Sequence, residues 1–190
     1  MRTLRKAGIF AAAATACATS LVAAPHAFAG DEPTAPQVSA VKLSPNADAE
    51  TRAIARSQSE AVAAAANICG STYELDDAKP LPNSTTRHGT LFFYSNAGAT
   101  SACAILDNNT PGSANYMDLR IWAGNNTAGA DVDKGSFSQY AGPVYSSTAA
   151  SGGRCVGLSA LMKNEAGTSN LINWKGGYIF SASAGSECVA

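Results

Sequence analysis

Apolar and polar residues alternate most cleanly between Tyr116 and Ala123. Met117, Leu119, Ile121 and Ala123 fall on one side, and Tyr116, Asp118, Arg120 and Trp122 on the other. A period of two predicts a strand with one buried face. Cys155 to Met162 alternates in the same way, bringing Val156, Leu158, Ala160 and Met162 together. Leu91 to Asn96 and Ser101 to Asp107 are two apolar runs separated by Ala97-Gly98-Ala99-Thr100. That pattern predicts a β-hairpin with a four-residue loop. Phe137 to Ser146 reads as extended chain broken at Gly142-Pro143. A proline there demands an edge or a bend, because it cannot donate to a ladder. Leu171–Trp174 and Tyr178–Ser183 flank Lys175-Gly176-Gly177, which predicts a last hairpin.

The chain before Cys69 has another character. Ser44-Pro45 offers an N-cap and a first-turn proline, and Asp48 and Glu50 favour the positive end of a helix dipole. Alanine dominates from there to Asn67, which predicts one helix over 44–67 on propensity. Its apolar stripe, Ile54, Ala61, Val62, Ala65 and Ile68, is poor in large residues, so weak docking is expected. Residues 30–43, with Pro33 and Pro36, read as a flexible linker.

The N-terminus carries three cations in its first six residues, then an apolar run from Ala7 to Ala24 and the small-residue sequence Ala27-Phe28-Ala29. This is the order of a secretory signal peptide over 1–29. Removing it from the 190 residues leaves 161, with ten cations against fourteen acids, a net charge of −4. Such a balance gives nucleic acid and anionic membranes no overall electrostatic attraction. Four cysteines remain, Cys69, Cys103, Cys155 and Cys188. Their wide spacing argues for two disulfides in an oxidising compartment rather than a zinc site. Three pairings are open, and Cys69–Cys103 with Cys155–Cys188 is the local one. The expected fold is mainly β: a small disulfide-bonded sandwich or barrel over 68–190, preceded by the short helix.

Candidate chemistry is sparse. His88 is the one histidine outside the signal, with no Gly-x-Ser-x-Gly frame in the chain. Asp131-x-Asp133-x-Gly135 hints at a calcium loop but lacks the third ligand, the glycine and the closing glutamate. The bland reading is an acidic turn leading into a strand. No catalytic residue, metal ligand set or cofactor is expected. Tyr116 and Trp122, on a face with Asp118 and Arg120, are the candidate ligand-binding residues, as a sugar-stacking platform would look.

Cys69-Gly70-x-x-Tyr73, the run Gly89 to Asn96, the Cys103 strand and Arg154-Cys155-Val156 form a recognisable series. Its most specific part is Asp133-Lys134-Gly135-Ser136-Phe137-Ser138-Gln139-Tyr140-Ala141-Gly142-Pro143-Val144-Tyr145. Over residues 69–156 the chain resembles the secreted spore-associated protein A family of filamentous actinomycetes. The resemblance implies export, and association of a non-enzymatic protein with the spore or aerial hyphal surface. Envelope or wall components are then the expected partners. It supplies the family motif Asp133, Gly135, Phe137, Tyr140, Gly142, Pro143 and Tyr145, and no catalytic residue. The alternatives are an extracellular carbohydrate-binding module and a small secreted peptidase inhibitor.

Overall fold

The computed structural model describes residues 41–112, 114–124, 126–147 and 155–179. The signal segment, most of the linker and Cys188 lie outside them. The described residues fall within the unit Gln37–Ala190.

Among the described residues, two α-helices, α1 (Ala49–Ser57) and α2 (Ser59–Cys69), precede eight strands. The strands are β1 (Tyr73–Leu81), β2 (Gly89–Asn96), β3 (Ser101–Asn108), β4 (Asn115–Ala123), β5 (Asp131–Phe137), β6 (Tyr140–Ser147), β7 (Cys155–Lys163) and β8 (Asn170–Ile179). They form two four-stranded sheets, ordered β1-β2-β3-β6 and β5-β4-β7-β8. Every neighbouring pair is antiparallel. The sheets face each other as a sandwich, and the helices cover the far side of the first sheet.

Alternation explains the layers. In β4, Met117, Leu119 and Ile121 point between the sheets and meet Leu158, Ala160 and Met162 of β7 and Leu91, Phe93 and Leu106 of the first sheet. The other residues of β2 and β3, Phe92, Tyr94, Cys103 and Ile105, point the opposite way, against the helices. A sheet covered on both faces needs apolar residues without alternation. That is why Leu91-Phe92-Phe93-Tyr94 is continuous and buried throughout.

The helical layer differs from the expected single weak helix. Asp48, not Ser44, is the N-cap: its carboxylate accepts from Thr51 N at 2.7 Å. Ser44 instead takes Asn46 N at 3.2 Å. The helix breaks at Gln58, whose backbone has φ −124° and ψ 39°. Docking is not weak, because the bulk comes from the sheet. Small Ala65 and fully buried Val62 pack against Phe92 and Tyr94. The Tyr94 hydroxyl donates to Val62 O at 2.9 Å. The disulfide Cys69–Cys103 then ties the end of α2 to β3. Cys155 is also disulfide-bonded, and its expected partner Cys188 lies outside the described residues.

The expected last hairpin is not formed. Asn170–Ile179 is one strand along β7, with Gly176 opposite Leu158 and Gly177 opposite Gly157. The glycines make room rather than a turn. A Cβ at Gly176 would stand 2.3 Å from Trp174 Cζ2, because that ring lies across it. Glycine within a strand commonly marks such a close approach.

Candidate functional site

The segment Asp133–Tyr145 forms a clasp between the two sheets. β5 is the edge of the second sheet, β6 is the edge of the first, and only Ser138-Gln139 separates them. Asp133 Oδ2 accepts from Gly142 N and Asp131 Oδ2 from Tyr145 N, each at 2.7 Å. The two carboxylates thus satisfy outward-facing amides of β6, and the expected acidic turn is itself strand. Gly142 has φ +108°, and a Cβ there would come within 2.7 Å of Ala104 O. Pro143 follows on an edge strand, as its missing donor requires. The Phe137 ring covers Gly135, with Cζ 3.1 Å from where a Cβ would sit. The Tyr145 hydroxyl reaches Ile68 O at 3.3 Å, and its ring meets Tyr73 at 6.2 Å between centroids. Tyr140 packs at the edge of the helix-side core. Every motif residue has a structural task, and the signal for it is tertiary.

A cavity of about 490 Å³ lies beside β1. Glu74, Asp76 and Asp77 of β1 and Asp48 and Glu50 from the start of α1 line it, with Lys79. The β1–β2 register slips between Leu75 and Asp77, so Asp76 is the extra, bulged residue. Thr51 of α1 serves this bulge: its hydroxyl donates to Asp77 Oδ1 and accepts from Ala78 N, both at 3.1 Å. The Tyr178 hydroxyl donates to Asp77 Oδ2 at 2.5 Å, and the Tyr178 ring stacks on Phe93 at 4.0 Å. Burial, then the Asp77 carboxylate, holds the Tyr178 phenol well above its ordinary pKa, so it stays a proton donor. Burial likewise raises the Asp76 carboxyl, against bonds from Ser44 and Ser95 that favour its ionised form. Asp76 Oδ2 is buried without a hydrogen-bond partner. Among the described residues, no group of three or more His, Cys, Asp or Glu is arranged to hold a metal ion. β1 mixes acids and a proline and has no clean period, so the sequence does not announce this cavity.

Tyr116 and Trp122 lie on the outer face of the second sheet, with different exposures. Tyr116 is half-buried, with Lys163 Nζ 5.8 Å above its ring. Trp122 is 3% exposed. Its indole lies across Gly157, where a Cβ would fall 2.2 Å from both Cε2 and Nε1. Lys175 Nζ stands 5.6 Å from the Trp122 ring. Between the two aromatics, Arg120 Nε and Nη2 grip the Asp118 carboxylate, each at 2.7 Å. His88 sits half-buried before β2, its backbone bonded to Leu81 O and Asn109 N. No described helix is long and apolar enough to cross a membrane.

These features define a disulfide-bonded β-sandwich carrying a helical layer, with its distinctive motif spent on joining the sheet edges. The chain is similar to Spore-associated protein A of Streptomyces coelicolor (strain ATCC BAA-471 / A3(2) / M145), 32% identical over 98 residues. The similarity covers 51% of this chain and 58% of that relative's length. No protein-family model matches the chain, and no solved structure matches it.

Proposed function

We propose that this protein is exported and acts at the spore or aerial hyphal surface by association rather than catalysis. The similarity to Spore-associated protein A carries the reading. A buried disulfide supports it, since such bonds persist outside the reducing cytosol. The roles of Asp131, Asp133 and Tyr145 support the non-catalytic part, because their polar groups serve the fold. Immunolocalisation and N-terminal sequencing test it together. The expected result is a chain beginning near Gly30 and found on spores or hyphae. A species that keeps Met1 and stays in the cytosol overturns it.

A further inference from the structure

The outer face of the second sheet gathers a surplus of cations, although acids outnumber cations over the whole chain. Outward residues there are exposed Lys134 on β5, Arg120 on β4, Lys163 on β7 and exposed Lys175 on β8. Asp118, opposite Lys134, is the one carboxylate among the outward strand residues, and Arg120 already binds it. Both helices pack on the other sheet. The cations spread over four strands, about 14 Å across at the usual strand spacing. Ser136, Ser159 and Asn173 stand among them and offer hydrogen bonds to hydroxyl groups. The half-buried Tyr116 ring adds a flat apolar edge beside Lys163.

We propose that this face is the docking surface for an anionic polysaccharide of the envelope, held by Lys134, Arg120, Lys163 and Lys175. The inference rests on the surface-association reading and supplies its partner. Charge complementarity selects a polyanion, since a local basic face attracts one even on an acidic protein. Interleaved hydroxyl and amide groups select a glycan. Among the described residues, Val132 on β5 is the exposed large apolar side chain of this face, too little apolar surface to anchor in a bilayer.

The test is retention of the mature protein on polygalacturonate beads, with neutral dextran beads alongside. Wild-type protein is expected on polygalacturonate only, and salt is expected to release it. Lys134→Glu with Lys175→Glu should weaken binding by more than about 30-fold, the loss of two cations at about 1 kcal/mol each, with the repulsion of two new carboxylates added. Lys42→Glu with Arg56→Glu makes the same charge change on the helical side and should alter binding less than about threefold, as screened distant charges do. Should the first pair fail to fold, Lys134→Gln with Lys175→Gln is read instead, and a clear loss is still expected. Equal loss in the face and control pairs, equal retention on dextran, or stronger binding to duplex DNA or anionic vesicles overturns the proposal. Surface localisation of a protein that fails this assay would leave the broader reading standing.

Discussion

Both tryptophans of the chain lie across a strand glycine, and the pair Trp122–Gly157 allows a sharp test. Gly157→Ala would place a methyl carbon 2.2 Å from Cε2 and Nε1 of Trp122 and 2.5 Å from Cζ2. Carbon atoms rest at about 3.5–4.0 Å, so the ring must shift by more than about 1 Å. Residues 122 and 157 are paired across a central ladder, which prevents the strands from parting. Forcing extra volume into such a contact costs about 1–3 kcal/mol. Levering out an indole now 3% exposed adds about 2 kcal/mol of lost burial. The lower unfolded-chain entropy of alanine returns up to about 1 kcal/mol. A net loss of about 3 kcal/mol lowers Tm by about 9 °C for a chain of this size. Thermal unfolding by circular dichroism measures the shift, and tryptophan fluorescence should move to the red. In the Trp122→Val background the same glycine change should cost less than about 0.5 kcal/mol, because the clashing partner is gone. An equal cost in both backgrounds would refute the account.

Other outcomes follow from the same contacts. Asp133→Ala removes a charge-assisted bond to Gly142 N and should cost about 1.5–3 kcal/mol in denaturant melts, with Asp131→Ala costing less because it is exposed. Cys69→Ala with Cys103→Ala opens a link across 34 residues and should cost about 4 kcal/mol on the chain-entropy model, measured by urea unfolding. The Asp76 carboxyl is raised above 3.8 in the fold, so the stability it contributes is present below that pH and is lost as pH rises through the raised value. Asp76→Asn should therefore raise Tm at neutral pH and lose the advantage in acid; a Tm below wild type at neutral pH would contradict this.

The readable parts of the sequence were those where burial has a simple period. β4 and β7 turn one face to the other sheet, and their alternation gave strand and facing correctly. The β2–β3 hairpin was legible from its loop. β1 was not read as a strand, because Glu74, Asp76, Asp77 and Lys79 line a cavity that only the folded chain creates. β8 read as two strands, because the glycines that make space for Trp174 and pair with Gly157 look locally like a turn. The helix break at Gln58 has no glycine or proline to announce it. The roles of the two β5 carboxylates were beyond reach because they bond across 9 and 14 residues to amides of β6.

The clasp on β6 has a consequence for molecules packed closely together. A bare strand edge invites a neighbouring copy to extend the sheet, and repeated addition builds fibrils. Here Pro143 has no donor, while Gly142 N and Tyr145 N are already occupied from within the same molecule. At that margin a dense layer of these proteins would remain a collection of separate particles and would not fuse into a continuous polymer.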